Sequence, residues 1–299
     1  MLAIIIPYFK LTYFEVTLQS LANQTDKRFK VYIGDDASPE DCSNLILQFE
    51  SQFDLRYHRF ETNIGSVSLT QQWDRCIALS KEEEWLMILG DDDYLGPNVI
   101  ESWYKNFNEF NTQSTVIRFA SKAVNEKTKT ISSTYNHPKL EKASNSYFRR
   151  LNGLTRSALS EYVFSRKTYM KYKFYNFPLA WHSDDMAWLD FSDNKPIFSI
   201  NEADLFIRVS DISISGKQNN LDKKNLATQL FYENIVKFKI KFFTKEQKKV
   251  LFLNYEIAIK RNRKLNNSEW KCLFRFYFFH FQVMPFFKLI RRFIISQIK

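Results

Sequence analysis

Two apolar runs in this chain end directly on carboxylates. Phe29–Ile33 leads into Gly34-Asp35-Asp36, and Trp85–Leu89 leads into Gly90-Asp91-Asp92-Asp93. Leu2–Ile6, Leu55–Phe60 and Thr115–Phe119 also read as strands, and several of the five runs are near-continuously apolar, as strands are when both faces are covered. Between them, helical periodicity predicts helices near 12–23, 40–53, 66–80 and 97–110. Strand and helix in this alternation build right-handed βαβ units, an α/β fold with a mostly parallel sheet. Strands of such a sheet end on one edge, and ligands bind there. Both acidic clusters are therefore expected on one rim of one crevice.

Adjacent carboxylates repel one another, and desolvating them without a cation is costly. No histidine or cysteine set accompanies them, so an oxygen-only site for Mg²⁺ or Mn²⁺ is the sharp expectation, an ion that bridges to substrate phosphates. Two plainer readings stand beside it. Asp35 and Asp36 could serve the helix start at Ser38-Pro39-Glu40-Asp41, which has the form of a capping box with Pro at the first helical position. Asp91–Asp93 could be an exposed turn ahead of Gly96-Pro97. A third cluster, His182-Ser183-Asp184-Asp185, opens a predicted helix over 183–192. Its carboxylates suit a helix N-terminus; facing the same crevice, one of them is a candidate general base for a hydroxyl.

Composition narrows the chemistry. With only 6 glycines, none paired at close spacing, the chain has no dinucleotide fingerprint and no P-loop, so a nucleotide must be held another way. Three scattered cysteines form neither a disulfide framework nor a zinc ribbon, consistent with a reducing cytoplasm. The apolar stretch before Pro7 reads as a buried strand rather than a leader, and no apolar run has the length of a membrane span.

The second half continues with helical signal near 145–152, strands at 158–163 and 203–208, and a polar stretch over 121–145 that reads as a loop or hairpin at one edge. Charge then changes sharply. Residues 217–299 hold 19 basic and 5 acidic side chains (+14), whereas residues 1–216 hold 24 and 28 (−4). The expected division is thus 1–216, a catalytic α/β body, and 217–299, a basic helical region. Ten aromatics lie in the last thirty residues, interrupted by Arg275, His280, Lys288, Arg291 and Arg292. An amphipathic, basic, aromatic segment suits an anionic membrane surface; a helical pair packed on the body is the alternative. No nucleic-acid-binding motif accompanies the basic residues.

Together these residues resemble the family 2 glycosyltransferases, inverting enzymes of the GT-A fold. The resemblance rests on Ala3-Ile4-Ile5-Ile6-Pro7-Tyr8-Phe9, on Ser20-Leu21-Ala22-Asn23-Gln24-Thr25, and on Asp35-Asp36-Ala37-Ser38. It continues through Asn63-Ile64-Gly65, Trp73-Asp74-Arg75 and Asp91-Asp92-Asp93 with Pro97, in the family's order over residues 1 to about 110. It implies a nucleotide-sugar donor, by analogy a UDP-sugar, held by Pro7, Tyr8, Asp35, Asp36, Asn63, Gly65 and Arg75. Asp91, Asp92 and Asp93, with Asp92 and Asp93 foremost, would carry Mn²⁺ or Mg²⁺ on the diphosphate, and the base would be Asp184 or Asp185. Ile207-Arg208-Val209-Ser210 and Ile212-Ser213-Ile214-Ser215 resemble the family's Arg-x-His…Ser segment, with Ser210 where His is common, so Arg208 becomes the expected diphosphate contact. The implied acceptor is a glycan or lipid-linked saccharide of bacterial surface-glycan assembly, which would place the enzyme at the inner face of the cell membrane. A metal-dependent nucleotidyltransferase is the rival enzyme class, but only Lys10 is basic over residues 8–14, where a triphosphate loop is needed. A non-catalytic binding module of the same shape is the other rival.

Overall fold

The computed structural model describes residues 1–211, 213, 216, 220–280 and 283–298, with His280 described only in its backbone. The chain divides into two compact units, Met1–Asn219 and Asn220–Lys299.

The first unit opens with β1 (Leu2–Tyr8), α1 (Phe14–Ala22), β2 (Phe29–Asp35), α2 (Ser43–Phe49), β3 (Asp54–Arg59), α3 (Leu69–Ile77) and β4 (Trp85–Ile88). It continues with β5 (Tyr94–Leu95), α4 (Val99–Phe110), β6 (Val116–Asn125), β7 (Thr130–Ile131), β8 (Leu140–Glu141) and α5 (Ala143–Leu151). It closes with β9 (Tyr162–Ser165), α6 (Arg166–Tyr172), α7 (Ser183–Phe191) and β10 (Ile197–Val209). Among the described residues these strands form one ten-stranded sheet, with the path β3-β2-β1-β4-β9-β6-β10-β5 and with β7 on β6 and β8 on β10. The β1–β2, β2–β3, β1–β4 and β6–β10 ladders are parallel, and β9 enters antiparallel between β4 and β6.

The continuous apolar runs are explained by burial on both faces. Along β1, Leu2, Ile4 and Ile6 face the core that holds Phe14, Leu18 and Trp103, whereas Ala3 and Ile5 face the core that holds Trp73, Cys76 and Trp188. α3 lies so close to β2 that a Cβ on Gly34 would sit 2.3 Å from Cys76 Sγ.

The strand order turns around β1: β2 and β3 lie to one side, β4 to the other. Tyr8 O accepts from Asp36 N and Ile5 O from Leu89 N, so alternate β1 residues bond to β2 and to β4. By that alternation the Pro7 nitrogen points toward β4, beyond the last β1–β4 rung at Ile5–Ile88. A proline there removes no ladder bond, and the two strands part at their carboxyl ends. Such switch points are where open α/β sheets hold ligands.

The structure corrects several expectations. The strand expected at 158–163 is a 3₁₀ turn, Leu159–Glu161, followed by β9. β10 begins six residues before the expected 203, because polar Asn201 and Glu202 lie at an irregularity between Ile200 and Asp204 and interrupt the apolar signal. The polar stretch over 121–145 does contain the expected hairpin, which the end of β6 forms by turning back as β7. The capping box at Ser38 does not form. α2 starts at Ser43 after Cys42, and the Ser38 hydroxyl instead donates to Phe9 O at 2.6 Å.

The second unit is helical: α8 (Leu221–Asn234), α9 (Lys245–Asn262), α10 (Asn267–His280) and α11 (Val283–Ile298). Thr244 and Gln247 form a capping box on α9, and Glu256 of α9 pairs with Arg292 of α11 at 2.9 Å. No described helix is long and apolar enough to cross a membrane.

Candidate active site

The β2 carboxylates are buried and fully engaged. Asp35, 0% exposed, accepts from Ser38 N (2.8 Å), Tyr57 OH (2.6 Å) and Arg59 (2.7 Å). Asp36 accepts the Ile64 and Gly65 amides, each at 2.9 Å, and pairs with Arg75. A Cβ at Gly65 would lie 2.4 Å from Asp36 Oδ2, so only glycine allows this approach. Arg75 also bonds Thr62 O (2.8 Å) and lies 3.9 Å over the Phe60 ring. Asn63 is occupied locally, its Oδ1 accepting from Ser66 N at 2.9 Å. The sequence thus brings Asp36, Gly65 and Arg75 together. Tyr8 faces inward, 0% exposed, its hydroxyl donating to Glu40 O at 2.7 Å, so its side chain packs the core beneath the rim.

The β4 cluster joins the same rim. Asp91 Oδ2 accepts the Phe9 and Lys10 amides, each at 2.8 Å, while Phe9 O takes the Ser38 hydroxyl. One chain of bonds therefore runs from Asp91 through Phe9 and Ser38 to Asp35. Thr17 of α1 clamps the loop from below, donating to Asp93 O at 2.8 Å. Asp93 Oδ2 accepts from Ser160 (2.6 Å) and Oδ1 from the Arg208 amide (2.8 Å). The Asp92 carboxylate hydrogen-bonds no other side chain among the described residues. Burial, reinforced by the neighbouring Asp92, pushes Asp91 up to about 6 and Asp93 to about 7, and burial raises Asp92 as well.

Arg208 is held against this loop. Its Nε donates to Asp92 O at 2.9 Å, its guanidinium lies 4.0 Å over Tyr13, and it pairs with Glu126 at the end of β6. Ser210, which follows β10, is buried, and its hydroxyl has no partner among the described residues. Ile212, Ile214 and Ser215 of the expected serine segment lie outside the described residues.

The third cluster separates its two carboxylates. Asp185 is buried and tied to Arg150 (2.9 Å) and His182 Nδ1 (2.7 Å); Arg150 holds it below the usual carboxylate range. Asp184 is partly exposed, without a hydrogen bond from another side chain among the described residues; burial and the adjacent Asp185 push it up to about 7. The entry to α7 is strained, with left-handed Leu179 (φ 59°), Ala180 (φ 52°) and His182 (φ 69°). Such conformations cost about 1–3 kcal/mol each and persist where the surroundings fix them. Here Ser183 Oγ donates to Tyr175 O at 2.6 Å, and Asn176 accepts from Ser68 and Thr70.

Sequence reasoning missed Tyr57, Arg59, Glu126, Arg150 and Ser160. Tyr57, Arg59, Arg150 and Ser160 each reach a carboxylate, and Glu126 reaches Arg208, from a distant element, and no local pattern marks such a pair.

Residues 3–178 match the description of glycosyl transferase family 2. The chain belongs to glycosyl transferase family 2. No curated relative matches the chain. Solved structures similar to this member of the family include S. aureus TarS residues 1–349 in complex with UDP-GlcNAc, with TM-score 0.67 and 16% identity over 92% of this chain and 79% of that one. The same TarS fragment in complex with UDP gives TM-score 0.61 and 14% identity over 95% of this chain and 76% of that one. At such identities the likeness establishes the fold, which is the GT-A arrangement that the family 2 resemblance implied.

Proposed function

We propose that the chain is an inverting glycosyltransferase that moves a hexosyl or N-acetylhexosaminyl group from a UDP-sugar to a hydroxyl of a glycan or lipid-linked saccharide. The observation that carries this is the bonded rim from Asp36 and Asp35 through Ser38 and Phe9 to Asp91, set at the switch point of a family 2 fold. The TarS structures contain UDP-GlcNAc and UDP, which supports a uridine donor.

In this reading Asp36, fixed by Gly65 and Arg75, meets the nucleoside. The β4 loop fits a hard cation: its donors are all oxygens, Asp92 is open, and Asp91 has a second oxygen. Mg²⁺ and Mn²⁺ take one or two carboxylates and complete their shell with water and phosphate, and Asp92 with the second oxygen of Asp91 could supply the protein's share. Burial and the neighbouring Asp92 make negative charge costly on Asp91 and Asp93, a cost that such an ion would offset. Bound there, it would offset the charge gained by the departing diphosphate.

In this reading Asp184 is the base, a choice supported by its exposure and its shift toward neutrality, whereas Asp185 is tied to Arg150 and His182. Asp184 takes the acceptor hydroxyl's proton as the oxygen attacks the anomeric carbon from the face opposite the diphosphate. The bond from that carbon to the diphosphate oxygen breaks, the nucleoside diphosphate leaves, and the configuration inverts. Arg208, at the Asp92 carbonyl, adds positive charge beside the leaving group. The basic second unit supports a membrane-face acceptor.

A thermal-shift panel of nucleotides and nucleotide sugars, with and without Mn²⁺, tests the donor. A ligand that binds the folded state raises Tm, and a UDP-dependent, Mn²⁺-dependent rise is expected. Folded protein that responds to no nucleotide would overturn the reading. Release of pyrophosphate instead of a nucleoside diphosphate would favour nucleotidyl transfer.

A further inference from the structure

In the second unit α10 and α11 run antiparallel. Trp270 near the start of α10 meets Phe293 late in α11 (5.2 Å), and Phe278 late in α10 meets Phe286 early in α11 (5.9 Å). Phe274 packs between, 5.3 Å from Phe293, with Leu273 and Leu289 fully buried. This packing and the Arg292–Glu256 pair account for the inward arc of α11.

The outward arc has no such account. Val283, Met284, Phe287, Ile294, Ile295 and Ile298 are 71%, 66%, 58%, 52%, 42% and 79% exposed. At 3.6 residues per turn they share one arc of roughly 140° with exposed Lys288 and Arg291. α11 contains no acidic residue. Phe278 and Phe279 of α10, 65% and 70% exposed, extend the apolar surface near the start of α11, and Lys271 and Arg275 stand exposed one to two turns behind them.

We propose that this face lies in the interface of an anionic lipid bilayer. Phe278, Phe279, Val283, Met284 and Phe287 enter below the headgroups, and Arg275, Lys288 and Arg291 sit at the level of the lipid phosphates. Charge complementarity selects this occupant. A second copy would bring like cations against one another, whereas an anionic surface satisfies them while the apolar arc leaves water. No described helix can span a bilayer, so the pair lies on it. The purpose of the contact rests on the membrane-face acceptor proposed above; its evidence is separate.

The test uses the full chain sedimented with phosphatidylcholine vesicles and with vesicles that also contain phosphatidylglycerol. Binding is expected only to the anionic vesicles and should weaken as salt rises. The F278S/F279S/F287S variant and the R275E/K288E/R291E variant should each lower partitioning at least tenfold. All six side chains are largely exposed, but Phe278 also meets Phe286, so the phenylalanine variant should lower Tm slightly while the charge variant leaves it unchanged, and both should keep the nucleotide-dependent shift. Full-length protein that stays in the supernatant, or a phenylalanine variant that binds as before, overturns the proposal. So does a dimer that this variant dissociates, which would make a second copy the occupant. Vesicle binding that follows the expected pattern in a chain that responds to no nucleotide would sink the donor assignment and leave this one standing.

Discussion

Asp93 Oδ1 accepts the backbone amide of Arg208 at 2.8 Å, joining residues 115 positions apart across the mouth of the sheet. With Ser160 on its other oxygen, Asp93 is a strut, and Asp92 beside it stays open. Neighbouring carboxylates on one loop therefore have different duties. Asp92→Ala is expected to lower turnover by about 10²-fold or more, the loss seen when one charge-stabilising group is removed, with Tm unchanged. Asp91→Ala, which strands the Phe9 and Lys10 amides, should cost about 1–3 kcal/mol of stability. Turnover of Asp92→Ala within fivefold of wild type would remove Asp92 from the mechanism.

The Gly65 amide bonds Asp36 Oδ2 at 2.9 Å, and there is no room for a methyl group between them. Gly65→Ala should therefore push Asp36 out of place at a cost of about 1–3 kcal/mol. Titration calorimetry with UDP should show affinity down about tenfold or more in a protein that still folds. Unchanged affinity would mean that the Asp36 turn does not touch the nucleoside.

A base must be unprotonated to work, and Asp184 is pushed up to about 7. Transfer is expected to rise with pH through this value and level off above it. Asp184→Asn should remove the activity, whereas Asp185→Asn should lower it by disturbing geometry. For stability the sign runs the other way: the folded form holds the Asp184 proton more tightly than the unfolded chain, so this group's contribution weakens as pH rises toward 7. A pH profile without a limb between pH 5 and pH 8 would shift the role to Asp185.

Arg118 is 0% exposed and ties Glu141 (2.9 Å) to Ser146 (2.6 Å) beneath α5. Arg118→Met leaves Glu141 buried beside the weaker Arg149 contact at 3.5 Å. The expected loss is about 3–5 kcal/mol, as when one partner of a buried pair is removed. Chemical denaturation should also show that adding Glu141→Leu recovers part of it.

The first half of the fold was legible because burial on both faces writes near-continuous apolar runs, and β1, β2 and β4 each carry one. The rim was legible for the same reason, since Asp35 and Asp91 follow directly on such runs. The third cluster was harder: Asp184 and Asp185 are adjacent and chemically identical, and Arg150 and His182, which both reach Asp185, distinguish them. The capping motif at Ser38 failed because a bond to Phe9, 29 residues away, competes for the same hydroxyl. β9 gave only a displaced signal, since its antiparallel place between β4 and β6 depends on partners that local sequence does not name.

That placement has a consequence for the newly made chain. β3, β2, β1 and β4 can pair as soon as β4 has emerged, but β4 and β6 have no ladder to each other until Tyr162–Ser165 arrives to bridge them. Until then the outer edge of β4 is an unpaired apolar strand, the kind that adheres to foreign strands. Ser160 and Arg208, which steady Asp93, also come later than the carboxylates they serve. Synthesis thus passes through an interval in which the acidic rim exists but is not yet braced, and a chaperone that shields one strand edge would be of most use there.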